Sequence, residues 1–302
     1  MRWKSRDTKR VLMTLALIAL VLFLVPRIFH LPKRAVHKPH TPKTIQKTHG
    51  AHRVEPEVPV VRPPLPFPAP LPPPRTMRAG APKIVFVIDD IGNTIQYLDD
   101  FRRLGNRVTY AILPFLKYSA YFDRLSVETG SEVILHMPLE SVKDTIPGPG
   151  LIRTNMSKDY VIDTLNRELD LLPHCIGANN HMGSKGSADP WLMELILTRL
   201  KQRGLIFMDS MTTSQSVGRQ IGSMIGLPVL KRDVFLDNDD RPEAIREQVR
   251  MLASIARQRG YAIGIGHYHV HTIQVLNEEI PRLEAGGFDM VSLRDILRFR
   301  KS

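Results

Sequence analysis

From Lys83 onward the chain alternates short apolar runs with stretches in which apolar residues recur every three or four positions. The short runs are 84–88, 107–113, 132–136, 175–179, 205–209, 228–236, 261–266 and 289–293. They are rich in β-branched residues, as expected of parallel strands buried on both faces. The stretches between them read as helices. Ser157 is placed to cap one whose Ile162, Leu165, Leu169 and Leu172 share a face. Asp189-Pro190 opens a second, with Gly204 past its end. Asp240 and Pro242 open a third, with Ile245, Val249, Leu252 and Ile255 on one side and Gly260 after it. Alternation of this kind predicts one α/β domain over 83–302, either a barrel or an open sheet.

The chain before Lys83 follows neither period. Arg2, Lys4, Arg6, Lys9 and Arg10 precede Val11 to Val25, a run without charge, and Ile28, Phe29 and Leu31 extend it past Pro26 and Arg27. Residues 1–31 are therefore expected to form a cytoplasmic basic flank and an uncleaved signal-anchor helix in the inner membrane. A cleaved signal peptide is the alternative; no small-x-small cleavage site follows the run. Both readings export the bulk of the chain, to the periplasmic or extracellular side. Residues 32–82 hold 14 of the 24 prolines and read as an extended linker without a core.

Charge sharpens this picture. The net charge of +12 invites nucleic acid as a partner, but 16 Lys and Arg stand against 3 acids in residues 1–83. Residues 84–302 carry 26 basic and 27 acidic side chains, so the folded part lacks the basic patch of a nucleic-acid-binding domain. Cys175 is the sole cysteine, which excludes an intrachain disulfide.

Candidate chemistry gathers where the apolar runs end. The first ends in Asp89-Asp90, the third in His136 with Glu140 four residues on, and the fourth in Asn179-Asn180-His181. The later ones end in Asp209-Ser210, Asp237-Asn238 and His267-Tyr268-His269. In a parallel barrel these ends share one rim, where such folds carry their catalytic groups. Turns favour Asp and Asn but have no special preference for His. Asp, His, His and Glu together suit zinc or another divalent metal, which lowers the pKa of water and polarises a carbonyl. Each residue also has a plain structural role open to it: Asp209 can cap a helix, Asp237 can close a turn, and a strand-end His can be hydrogen-bonded in place.

Six segments give these residues a family context: VIDDIG (87–92), EVILHMPLE (132–140), NNHMGS (179–184), FMDS (207–210), RDVFLDN (232–238) and GIGHYH (264–269). Together they resemble the divergent polysaccharide deacetylases, relatives of the NodB-type carbohydrate esterases. The resemblance implies a distorted (β/α) barrel of about seven parallel strands with a divalent metal, zinc foremost, at the rim. It implies Asp89 as general base, Asp90 and His136 as metal ligands, and His267 as the general acid. The family's usual HxxxH has Glu140 at its second histidine position here, and His181 has no counterpart among ordinary deacetylases but suits the divergent branch. The expected metal set is thus Asp90, His136, His181 and Glu140. The function implied is metal-dependent removal of N-acetyl groups from a cell-envelope polysaccharide or glycan. The alternative is a catalytically silent envelope glycan-binding or scaffold protein on the same barrel. Tyr110, Phe115, Tyr118, Tyr121 and Tyr268 are candidate rim aromatics for a sugar.

Overall fold

The computed structural model describes residues 77–143, 145 and 147–300. The run at 11–31 and nearly all of the proline-rich stretch lie outside the described residues. Among the described residues no helix is long and apolar enough to cross a membrane.

Among the described residues nine strands form one sheet in which every pairing is parallel. They are β1 (Lys83–Ile91), β2 (Val108–Ile112), β3 (Val133–Leu139), β4 (Cys175–Met182), β5 (Ile206–Asp209), β6 (Val229–Lys231), β7 (Val234–Phe235), β8 (Tyr261–His267) and β9 (Asp289–Met290). Their order is β6-β5-β4-β3-β2-β1-β8-β7, with β9 beside β1. The helices are α1 (Leu98–Leu104), α2 (Ser119–Thr129), α3 (Lys158–Leu171), α4 (Pro190–Gln202), α5 (Gly218–Ile225), α6 (Pro242–Arg259), α7 (Val270–Ala285) and α8 (Leu293–Phe299).

The strand count exceeds the seven implied by the family resemblance, partly because the run 228–236 splits at Arg232-Asp233. Its two halves, β6 and β7, occupy opposite ends of the strand order. A chain of so few residues spans at most about 11 Å. The sheet must therefore curl until its edges approach, joined by covalent chain where a closed barrel would have hydrogen bonds.

Side chains on the two faces of the curled sheet enter separate apolar layers. Val85, Val87, Ala111, Ile134, Ile176, Met208, Leu230, Ile263 and Ile265 cluster on the inner face, where Leu293 and Ile296 of α8 join them. Ile84, Phe86, Ile88, Tyr110, Leu135 and Phe207 face the surrounding helices. Burial on both faces explains the near-continuous apolar runs. Both layers are predominantly apolar, and the polar residues of the strands collect at their C-terminal ends.

The helix signals hold with two shifts. Ser157 caps α3, its side chain accepting from the Tyr160 amide, and Asp189 caps α4 with Pro190 at the first helical position. At α6 the capping position falls on Arg241 and not on Asp240, while Gly260 takes the left-handed conformation after the last turn. The buried stripe of α3 runs through Val161, Thr164, Leu165, Glu168, Leu169 and Leu172, with Ile162 only half-buried. Two polar residues thus lie in a helical core face.

Close backbone approach is tightest at Gly177 in β4, where a Cβ would stand 2.5 Å from the Ile206 carbonyl oxygen of β5. Gly177→Ala is expected to destabilise the domain by about 1–3 kcal/mol through overpacking against backbone that cannot rotate away. Urea unfolding checks this: the midpoint falls with an unchanged slope.

Candidate active site

All the strands run the same way, so their C-terminal ends form one rim. The inner-face rows lead directly onto it. Val85 and Val87 are followed two residues on by Asp89, Ile134 by His136, Met208 by Ser210, and Ile263 and Ile265 by His267. Period-two alternation carries the same face of each strand from apolar interior to polar rim.

The adjacent acids Asp89 and Asp90 would point to opposite faces of a regular strand. Here β1 advances from Ile88 to Ile91 while β2 advances only from Tyr110 to Ile112, so β1 carries one extra residue. Asp90 takes a left-handed backbone with φ 62°, and Gly92 follows at φ 129°. This bulge turns both carboxylates into one cleft. The other non-glycine residues with positive φ are Phe115, Met182 and Met211, all in or just past the ends of rim strands. Such backbone is costly and concentrates where function demands it.

Asp90, His136 and His181 converge. Asp90 Oδ1 lies 3.2 Å from His136 Nε2 and 3.0 Å from His181 Nδ1, and the two ring nitrogens are 3.0 Å apart. Despite these distances, the angles leave Asp90 Oδ1 buried without a hydrogen-bond donor. Ligands on a zinc ion at about 2.0–2.1 Å in tetrahedral array stand about 3.3 Å apart, close to the spacing seen. The tautomer of His136 agrees. The Asn179 side chain donates to Asp89 Oδ1 at 2.9 Å and to Ser210 Oγ at 3.1 Å, so its amide oxygen must face His136 Nδ1, 2.8 Å away. His136 Nδ1 then carries the proton, and Nε2 presents a bare lone pair to Asp90 and His181. The donor set fits a divalent metal.

Electrostatics point the same way. Burial opposes charge on Asp90, but the two imidazoles beside it override burial and hold the carboxyl well below its usual range. Burial draws the His136 pKa down, yet the Asp89 and Asp90 carboxylates more than offset it and raise it above the ordinary value. A field that would retain a proton at this point would equally attract a cation, so proton and metal compete for it.

Asp89 is 2% exposed, and burial raises its pKa above the usual carboxylate value although His136, His267 and Asn179 pull it down. His267 pairs with Asp89 in the β1–β8 register. Its Nδ1 faces Asp237 Oδ1 at 2.8 Å, while Asp237 Oδ2 accepts from the His267 amide and from Thr272 Oγ1, each at 2.6 Å. Burial lowers the His267 pKa, but the Asp237 hydrogen bond and charge, with Asp90 and Asp89 beyond, raise it to about 9. Asp237, His267 and exposed His269 also lie within reach of one another. Asp237 spends both oxygens on His267 and Thr272, which marks it as an orienting partner of His267.

Glu140, expected as a further metal ligand, is engaged elsewhere. Its Oε2 accepts from the Thr154 amide at 2.9 Å and hydroxyl at 2.7 Å, and its Oε1 from Lys185 Nζ at 2.9 Å. Slight desolvation is outweighed by these partners, which bring its pKa down to about 2. The reason is geometric. Four residues along a strand advance about 13 Å, so the spacing that makes neighbours on a helix separates His136 from Glu140 here. Of the candidate rim aromatics, Tyr110 and Tyr268 are core, Tyr118 and Tyr121 are half-buried, and Phe115 is exposed. Asp209 closes a turn, accepting from the Met211 amide and Ser216 Oγ.

Three contributors were not assigned roles from sequence. Asn179 and Asp237 were visible as strand-end polar residues on the rim. Arg232 opened the segment RDVFLDN but was given no role of its own. It sits in the β6–β7 link, where it donates to the Ser210 and Met211 carbonyls at 2.7 and 2.9 Å. Its guanidinium lies 4.1 Å from the centre of the Phe235 ring, and Phe235 stacks on His267 at 5.5 Å with 10° between planes. Arg232 thus ties the open seam of the sheet to the orientation of His267.

Comparison with known proteins gives the family. The chain belongs to the divergent polysaccharide deacetylase family, whose sequence pattern it matches over residues 86–297. An uncharacterized protein of Haemophilus influenzae is 32% identical over 201 residues, covering 67% of this chain and 72% of that protein. The uncharacterized protein YibQ of Escherichia coli is 29% identical over 203 residues, and the match spans 67% of this chain and 64% of YibQ. A crystal structure of an uncharacterized protein from Agrobacterium tumefaciens C58 superposes with a TM-score of 0.70 at 23% identity, covering 75% of this chain and 92% of that one, and shares the fold.

Removing the charge of Asp237 while keeping its shape isolates its effect on His267. Protonated His267 is available below about 9 and is lost as pH rises through that value. Asp237→Asn is therefore expected to lower the pKa of the His267 ring by about one unit or more. An NMR titration of the His267 ring checks this shift without reference to turnover.

Proposed function

We propose that this chain is a metal-dependent hydrolase that removes N-acetyl groups from a cell-envelope polysaccharide. The observation that carries the reading is the juxtaposition of the Asp90–His136–His181 cluster with a buried carboxylate on one side and an Asp-paired imidazole on the other. A divalent metal held by those ligands would supply the positive charge that acidifies water and stabilises a developing oxyanion.

The protein's own groups divide the proton transfers. Asp89 Oδ2 lies 3.6 Å from His136 Nε2 and so borders the metal position without joining the ligand set. It takes a proton from the attacking water as the new C–O bond forms. Asn179 holds its other oxygen and leaves Oδ2 for this transfer. His267 enters the cycle protonated because Asp237 stabilises its charge. It gives a proton to the amide nitrogen as the C–N bond breaks, releasing acetate and a free amine on the sugar. Between the pKa of Asp89 and that of His267 the base is ionised and the acid is protonated, which is the condition for both steps.

The N-terminal sequence supports placing this activity outside the cytoplasm. The basic flank and charge-free run would anchor the chain in the inner membrane, and the proline-rich stretch would let the domain reach envelope glycan.

Asp89→Asn keeps the side-chain size and removes its basicity. The zinc-loaded variant is expected to retain its metal and lose about 10²–10⁴-fold in acetate release from N-acetylated oligosaccharides. Acetate release by the wild-type chain, lost in the variant at equal metal content, supports the hydrolase. Absence of release from any N-acetylated glycan, with binding retained, would make the domain a glycan-binding module.

A further inference from the structure

On the same rim, α3 carries two polar residues in its buried stripe with nothing to bond. Thr164 Oγ1 and both carboxylate oxygens of Glu168 are buried and have no hydrogen-bond partner. Interiors seldom leave such groups unsatisfied. One helical turn apart, the two side chains share a face. Thr164 lines a cavity of about 200 Å³ with Phe115, Gly150, Leu151, Tyr160 and Arg167. Glu168 lies one turn deeper, behind Gly150. A Cβ at residue 150 would stand 2.3 Å from Glu168 Oε1, so glycine alone lets the backbone rest on the carboxyl. Burial pushes the Glu168 pKa well above the usual carboxylate range, with Arg167 only partly opposing it. A neutral acid both donates and accepts hydrogen bonds.

The mouth of the cavity is aromatic. Phe115 is 41% exposed and Tyr160 52% exposed, large faces that a core would normally claim. Phe115 is held at φ 56°, a strained conformation for an aromatic residue. Its loop is tied to the metal-bearing strand, since Leu113 N donates to Ile91 O at 2.8 Å and Tyr118 N to Gly92 O at 2.9 Å. On the other side, Gly150 and Leu151 lead into Ile152, whose amide donates to Pro138 O at 2.9 Å, two residues past His136. The cavity is thus walled in part by loops that follow β2 and β3 and whose backbones bond within two residues of Asp90 and His136.

We propose that this cavity is a subsite for a single sugar ring of the polymer, next to the unit whose acetamide reaches the metal centre. Phe115 and Tyr160 pack against the apolar face of the ring, and Arg167, which lines the same cavity, donates to its hydroxyls. The volume lies below the roughly 300–1,000 Å³ of pockets for drug-sized ligands, which limits the occupant to about one ring. The assignment rests on the glycan reading of the metal centre but not on its catalytic competence.

Binding is tested with the full-length, zinc-loaded chain carrying Asp89→Asn, so that turnover does not intervene. Calorimetry compares N-acetylglucosamine with its tetrasaccharide. The tetrasaccharide is expected to bind at least tenfold tighter, and adding Tyr160→Ala or Phe115→Ala should remove about tenfold of that gain while leaving monosaccharide affinity and zinc content unchanged. Gly150→Ala, which drives a methyl onto Glu168, should do the same. Equal affinity for the two saccharides, or a tetrasaccharide affinity untouched by all three substitutions, overturns the subsite. If length-dependent binding is present and sensitive to Tyr160 while the wild-type chain releases no acetate, the subsite stands and the hydrolase reading falls. If acetate is released but chain length makes no difference to binding, the subsite alone falls.

Discussion

The extra residue in β1 is the constraint on which the site depends. A regular strand would send Asp89 and Asp90 to opposite faces, one into the apolar inner layer and one among the helices. The bulge and the left-handed backbone at Asp90 place both in one cleft, where they acquire different environments. Asp89 is nearly fully buried, so its ionisation is resisted, and the Asn179 hydrogen bond offsets that only in part. Asp90 faces two imidazoles and is held ionised. One backbone irregularity thus turns two identical side chains into a base candidate and a metal-ligand candidate. The cost of that conformation has to be met by the strand around it, which is buried on both faces.

Hydrogen bonds from this point organise the rest of the rim. The Asp89 carboxylate orients the Asn179 amide, the amide selects the His136 tautomer, and the tautomer frees the nitrogen that faces Asp90 and His181. On the far side, the sheet does not close by strand pairing. Arg232 spans the gap, bonding carbonyls past the end of β5 while stacking on Phe235, which in turn stacks on His267. The open seam is therefore part of the device that fixes the acid candidate. Asp237 completes it from β7's end by holding Nδ1 and the backbone amide of the same histidine.

Much of this was legible from residue patterns. Two-faced burial made the strands visible as short apolar runs, and polar strand ends in a parallel sheet had to share a rim. That reasoning placed Asp89, Asp90, His136, His181 and His267 at strand ends, where the structure has them. Glu140 entered the expected set through the family's second histidine position, whereas Thr154 and Lys185 engage it here. Ile162 was taken for a core residue because an apolar side chain was preferred over its neighbours, whereas the buried stripe passes through Thr164 and Glu168. The role of Arg232 was hidden although its segment was noticed, since nothing local announces that a run breaks and bridges two sheet edges. Those three cases depend on contacts between residues far apart in sequence, which periodicity does not encode.

The central claim is that the rim holds a metal through Asp90, His136 and His181. Crystals grown with zinc and measured at the zinc absorption edge test it directly. The account predicts one dominant anomalous peak enclosed by Asp90 Oδ1, His136 Nε2 and His181 Nδ1, with Glu140 still bound to Thr154 and Lys185. A dominant peak on Asp237, His267 and His269, or at Glu140, would contradict it.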